Sequence, residues 1–289
     1  MKRIPWTALL LLGLVLAAGL ARCVYTPVHV LRVSDKRVIT FPGMIDELRG
    51  TRIVFAGENH DQSQDHKAQL AIIKGLMEKG APLAIGLEMF TIDSQEKLDL
   101  WTAGRLDETD FIKLYYREWG MPWPLYRDIF LYARKHRIPM VALNVPHEIS
   151  RKVAKFGFAS LTPEEHKRLP QGITCNIDPV YRSFVRKAYA LHSGGNDRSF
   201  ENFCEAQMLW NKGMGWYLQK YLVGNPGRAV VVLTGTGHAM KRAIPEEVFQ
   251  GGKFSYKVIL PEQPDLGRDA VTNQDADYLL LFGYFWWWG

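Results

Sequence analysis

The chain has 289 residues, 47% of them hydrophobic and 23% charged. That balance can enclose the core of one large domain, or one domain with an insertion, and excludes a disordered protein. The net charge of +6 is mild, and no basic run interleaved with aromatics occurs, so nucleic acid is not an expected partner.

Residues 1–22 start with Lys2 and Arg3 and continue in an apolar stretch from Ile4 to Ala21 that ends in small residues. This is the pattern of an export signal or membrane anchor. Cys23, after Leu20, Ala21 and Arg22, resembles the lipidated cysteine of a bacterial lipobox, with Arg22 departing from the small residue that pattern carries. Cleavage after Ala21 and an uncleaved membrane span are the alternatives. All three place the chain in a bacterial cell envelope, membrane-anchored or periplasmic. Cys175 and Cys204 are the other cysteines; one disulfide and two buried thiols are both open readings.

Further along, RIVFAG (52–57), PLAIGLEMF (82–90), IPMVALNVP (138–146) and RAVVVLTGTGH (228–238) are short and rich in Val, Ile and Leu. They lack the alternation of a one-faced strand, which predicts strands buried on both sides. Between the first two, Leu70, Ile73, Leu76 and Met77 recur at helical spacing up to Gly80, with Asp61 as the expected cap and Gln64 in the capping-box position. Strand, helix and strand there make a parallel crossover. Helical insertions are expected over about 92–136 and 147–223, and SYKVILP and DYLLLFGYF are expected to add outer strands.

The predicted fold class is therefore α/β, a largely parallel central sheet flanked by helices. Residues 23–289 form a single domain whose helical insertions lie over the carboxyl ends of the strands. In the tail, Trp286, Trp287 and Trp288 cannot all face one core from a strand, because neighbouring side chains point to opposite faces. A membrane interface, a subunit interface or a covered strand end would each suit them.

The four buried runs break off into polar residues: Glu58 and His60, Glu88, Asn144, and Thr236 with His238. In open parallel sheets the ligand crevice lies outside the carboxyl ends of the strands, so these groups are expected on one rim. A carboxylate there is costly unless it binds a cation, accepts hydrogen bonds or performs chemistry. Two acids and two imidazoles suit a divalent metal or a metal-free hydrolytic centre with a histidine as general base. His66, in the first turn of the following helix, reads as a surface residue.

Gly57-Glu58-Asn59-His60, Gly86-Leu87-Glu88-Met89-Phe90 and Gly235-Thr236-Gly237-His238 resemble motifs of the ChaN family of haem-binding envelope lipoproteins. Trp123-Pro124-Leu125-Tyr126, Ala142-Leu143-Asn144-Val145-Pro146 and Ala206-Gln207-Met208-Leu209-Trp210 are similar to it as well, over roughly residues 50–285. The resemblance implies an α/β fold and capture of haem or iron, with the amino-terminal segment on a membrane and a homodimer possible. Tyrosines of the aromatic-rich insertions, Tyr126 and Tyr181 among them, and Asn144 are the residues it offers to haem. No Cys-x-x-Cys-His occurs, so covalent haem attachment of that type is excluded. The wider Tiki superfamily, which includes metalloproteases and erythromycin esterases, implies an alternative: a metal-dependent hydrolase. His60, Glu88 and His238 would hold the ion and Glu58 would activate water. Asn211 departs from the acidic residue expected after Trp210, which weighs against a polar contribution from that helix.

Overall fold

The computed structural model describes residues 29–192, 197–264 and 266–282. Residues 1–22, expected to be an export signal or anchor, Cys23 and the tryptophan tail lie outside the described residues. In chain order the elements are β1 (His29–Arg32), β2 (Arg37–Thr40), α1 (Phe41–Glu47), β3 (Ile53–Glu58), α2 (Ser63–Glu78), β4 (Leu83–Thr91) and α3 (Gln95–Thr102). There follow α4 (Glu108–Glu118), α5 (Trp123–His136), β5 (Met140–Asn144), α6 (His147–Phe156), α7 (Pro163–Lys167), α8 (Pro179–His192) and α9 (Asp197–Gly224). The chain then continues through β6 (Ala229–Gly235), α10 (Thr236–Ala239), α11 (Ile244–Gly252), β7 (Tyr256–Pro261) and β8 (Tyr278–Leu281).

The eight strands form one sheet in the order β2-β1-β8-β7-β3-β6-β4-β5. All neighbours from β8 to β5 are parallel, and only β1 runs against its partners β2 and β8. Successive strand residues face opposite sides, and both sides are covered. Ile53 and Phe55 of β3 pack with α6, α9 and α11, whereas Val54 and Ala56 pack with α1, α2 and α5. That double covering is why the strands read as unbroken apolar runs. Cys175 and Cys204 form a disulfide, which ties the segment before α8 to α9.

Three expectations change. Asp61 does not cap α2; Gln62 holds the N-cap position without a side-chain bond, because Asp65 in the first turn instead accepts from the Asn59 backbone and side-chain amides at 2.8 and 2.9 Å. The strands β7 and β8 are not outermost, since the β1–β2 hairpin extends the sheet beyond them. The second buried run does not stop at Glu88, for β4 continues to Thr91. Its pairing with β6 does stop at Leu87, opposite Leu233, so Glu88 is the first β4 residue past that ladder.

His29 pairs with Leu281. Because β8 is parallel to β7 and β3, the amino-terminal and carboxyl-terminal segments meet the sheet side by side, at the end where β3, β4 and β6 finish.

Candidate functional site

The rim is built from two acid–histidine arms that meet over the end of β6. In the first, Glu58 closes β3 and is almost wholly buried. Its Oε1 contacts His60 Nδ1 at 2.8 Å and accepts from the Tyr126 hydroxyl at 2.6 Å. Its Oε2 lies 2.5 Å from Nδ1 of His66. Burial pushes the Glu58 carboxyl up, but His60 and His66 overcome it by hydrogen bonding and charge, holding the group down to about 2. Burial pushes both histidines down, and Glu58 outweighs it, so each is raised above its ordinary value. His66 completes its bonding by donating from Nε2 to the His60 carbonyl at 3.1 Å.

In the second arm, Glu88 Oε2 accepts from the Thr234 hydroxyl at 2.5 Å and from the Gly235 amide at 2.7 Å. Both donors belong to the β6 residues that follow Leu233, the last one paired with β4. Glu88 Oε1 stands 3.7 Å from His238 Nε2. The opposite ring nitrogen, His238 Nδ1, lies 2.7 Å from Asn211 Oδ1. The network fixes the proton on that nitrogen. Tyr181 donates its hydroxyl hydrogen to the Gly237 carbonyl at 3.0 Å and accepts from Asn211 Nδ2 at 3.0 Å. Asn211 therefore turns its carbonyl oxygen, an acceptor only, toward His238. Burial lowers the pKa of His238, against the pull of Glu88, so the ring is neutral, with its lone pair on Nε2.

The arms touch at Gly235, where an added Cβ would stand 2.9 Å from His60 Cε1 and 3.8 Å from Glu88 Oε2. Only a glycine lets the His60 ring lie this close to the backbone. Gln263, after β7, locks the strand ends together by donating to Asn59 Oδ1 at 2.8 Å and Thr236 Oγ1 at 2.9 Å, and Thr236 in turn donates to the Glu58 carbonyl.

Glu58, His60, Glu88 and His238 thus gather as the sequence led us to expect. Asn144 closes β5 nearby, but its polar atoms are committed to the Glu88 carbonyl and the Val145 amide, each at 2.8 Å. Tyr126 and Tyr181 direct their hydroxyls inward to Glu58 and Gly237, and burial pushes both phenols up, so neither is poised to offer a tyrosinate.

Two other readings need correction. His66 is buried rather than on the surface, because Glu58 supplies a counter-charge inside the fold. Asn211 does bring a polar group from α9, through its amide to His238. Neither has a local sequence signal; a histidine eight residues after Glu58 and an asparagine on a long helix become informative only once packing is known.

Among the described residues no set of three or more His, Cys, Asp or Glu side chains is arranged to hold a metal ion. His60 Nδ1 is occupied by Glu58, and Glu88 Oε2 by two donors, which leaves His60, Glu88 and His238 short of a shared centre. The donor chemistry fits haem better. His60 keeps 38% of its side chain exposed and His238 keeps 12%, and their Nε2 atoms accept or donate no hydrogen bond among the described residues. Trp119 meets the His60 ring edge-on with centroids 5.0 Å apart, and Trp210 meets His238 at 6.0 Å. The Trp119 indole nitrogen is buried without a hydrogen-bond partner. Aromatic walls around imidazole nitrogens are what a flat, iron-bearing macrocycle requires.

Comparison with known proteins follows the same lines. ChaN of Campylobacter jejuni, solved with cofacially bound haem, superposes with a TM-score of 0.71 at 16% identity, over 90% of this chain and 98% of that one. An erythromycin esterase, EreC, in its open conformation gives a TM-score of 0.48 at 12% identity, over 83% of this chain and 78% of that one. Protein RETICULATA-RELATED 5, chloroplastic, of Arabidopsis thaliana is 29% identical over 150 residues, which is 50% of this chain; the match spans a fifth (20%) of that protein's length. Residues 44–248 match the family described as "Haem-binding uptake, Tiki superfamily, ChaN". The chain belongs to the ChaN haem-binding family of the Tiki superfamily.

Proposed function

We propose that this chain binds haem at the rim formed by β3, β4 and β6 and serves haem or iron acquisition in a bacterial cell envelope. The observation that carries the reading is the pair of imidazoles, His60 and His238, whose Nε2 atoms are unbonded beside Trp119 and Trp210, within the residues matched to the family. When bound, haem would supply an iron centre open to a protein ligand, and His60 and His238 are the residues that would hold it. The chain's own part is to present those nitrogens, wall the ring with indoles and hold each histidine through a carboxyl or an amide behind it.

Three features support the location. Residues 1–22 carry the pattern of an export signal or anchor, with lipid attachment at Cys23 as part of the proposal. The Cys175–Cys204 disulfide suits an oxidising compartment. The His29–Leu281 pairing puts the start of β1 at the end proposed to bind haem, which is compatible with a membrane-tethered chain that turns its rim toward the lipid. A homodimer enclosing haem between two rims belongs to the same reading. The test is a haemin titration of the chain lacking residues 1–22, with sedimentation before and after loading. A saturable Soret shift is expected, and its absence at micromolar protein rejects haem binding. Fractionation of expressing cells, with and without Cys23→Ala, tests the anchor.

A second reading is metal-free hydrolysis at the same rim. It is favoured by one observation: the neutral His238 with its lone pair facing Glu88, as a general base requires. Turnover of an activated ester that survives chelation and is lost in His238→Ala would establish it.

A further inference from the structure

The opposite end of the same three strands carries a second pocket. Arg52, Leu83 and Ala229 stand at the starts of β3, β4 and β6, and with Leu48, Arg49, Lys79, Pro226 and Arg228 they line a cavity of about 300 Å3. No aspartate or glutamate lines it.

Of its four cations only Lys79 is ion-paired among the described residues. Arg32, Arg168 and Arg242 have carboxylate partners, Glu47, Asp93 with Glu148, and Asp178. Arg49, Arg52 and Arg228 make no ion pair with a carboxylate among the described residues. Lys79, also in the lining, pairs with Asp46 at 2.6 Å, and the same carboxylate feels the charge of Arg49. Arg52 is held in place by the carbonyls of Pro226, Leu222 and Asn225, and Arg228 by that of Leu83 at 3.2 Å. Both guanidiniums are therefore preorganised, and Arg52 keeps a buried Nε with no hydrogen-bond partner. Like charges gathered and fixed without a counter-ion repel one another unless an anion joins them.

We infer that this pocket is an anion-binding site, distinct from the rim, for a small soluble phosphate-bearing molecule. Guanidinium forks match phosphate oxygens geometrically. The buried Leu48, Leu76 and Leu83 give the pocket an apolar floor, which suits a phosphate ester with a compact organic part. The same chemistry is offered by a lipid headgroup. β1 begins and β8 ends at the far end, about 20 Å away at 3.3 Å per strand residue, so with the amino-terminal anchor proposed above a soluble ligand is the one assigned. The inference stands independently of haem binding.

The test is calorimetric titration of the chain with inorganic pyrophosphate at low ionic strength, with chloride at matched ionic strength as control. Saturable binding is expected, weakened roughly ten-fold or more in Arg49→Glu, since a hydrogen bond to a charged group contributes about 1.5–3 kcal/mol. Arg49 is exposed and reaches only the charge of the exposed Asp46, so the variant should keep its circular dichroism and stay close to the unaltered stability, since exposed charge pairs contribute little. Arg49→Lys should bind with intermediate strength. Absence of saturable binding, or equal affinity in Arg49→Glu, overturns the inference. Binding to phosphatidylglycerol vesicles without binding to pyrophosphate overturns the assignment of a soluble ligand. A haemin titration of Arg49→Glu separates the two sites, because haem uptake should match the unaltered chain.

Discussion

Asn211 on α9 holds His238 Nδ1 at 2.7 Å through its side-chain oxygen, and that single contact decides which nitrogen of His238 faces the rim. Replacing the amide with a carboxylate, Asn211→Asp, keeps the shape but places a charge against the ring. The His238 pKa, held low by burial, should rise, as a proton-detected titration of the imidazole would show. An unchanged value would mean that Asn211 does not control the tautomer. Asn211→Leu should destabilise the fold by about 1–3 kcal/mol for each buried polar partner left unpaired, read from urea unfolding.

Glu58 is the hub of the other arm, and its removal should be costly. Glu58→Gln leaves His66 buried without a counter-charge, and breaking such a pair costs roughly 3–5 kcal/mol. The pH dependence should change in two windows. The Glu58 carboxyl is depressed from 4.5 to about 2, so its contribution is present above pH 4.5 and lost as pH falls through about 2. His60 and His66 are raised above 6.5, so theirs is complete below pH 6.5 and lost as pH rises through the folded values. His238 is lowered and acts oppositely: the unfolded state binds more protons just below pH 6.5, and stability falls as pH drops there. Unfolding curves of Glu58→Gln against pH should lack the loss on the alkaline side; its retention would contradict the pairing.

Gly235 is the seat of the His60 ring. Gly235→Ala would put a methyl group 2.9 Å from His60 Cε1, closer than real contacts allow. The ring must swing away, at a cost of about 1–3 kcal/mol for overpacking. The expected result is a folded chain with weakened haem binding, measured by absorbance, and unchanged binding would show that the position of His60 does not matter.

The sheet and part of the rim were legible for a physical reason: in a strand covered on both faces, a switch from Val and Leu to polar groups marks where its ladder ends. Glu58 closes β3 and His238 follows β6 in that way, whereas Glu88 lies inside β4, with Met89, Phe90 and Thr91 buried after it, and shows only as a carboxylate within an apolar run. The β1–β2 hairpin was not legible, because HVLR and RVIT are four residues long and mix charged with apolar side chains at a solvent-facing edge. Nor was the burial of His66, which depends on a counter-charge eight residues earlier. Tyr126 and Tyr181 stood out as aromatics, yet the direction of a hydroxyl follows from packing between helices and has no trace in spacing.

The disulfide offers a separate handle on the second arm. Cys175 and Cys204, 29 residues apart, precede Tyr181 and Asn211, the partners of the hydrogen bond between α8 and α9. Closing a loop of that length restricts the unfolded chain by roughly 3–4 kcal/mol in the entropy model. Reduction, or Cys204→Ala, should lower unfolding stability by about that amount. A smaller loss would mean that the unfolded chain is already compact around this pair.

The most direct measurement is the haemin titration of the unaltered chain beside the His60→Ala, His238→Ala double variant, followed at the Soret band with far-ultraviolet circular dichroism as the check on folding. Haem held by the rim predicts a saturable shift in the first and, in the second, an affinity lower by at least about ten-fold, as expected for loss of more than 1.4 kcal/mol. Identical titrations of two equally folded proteins would place the haem elsewhere.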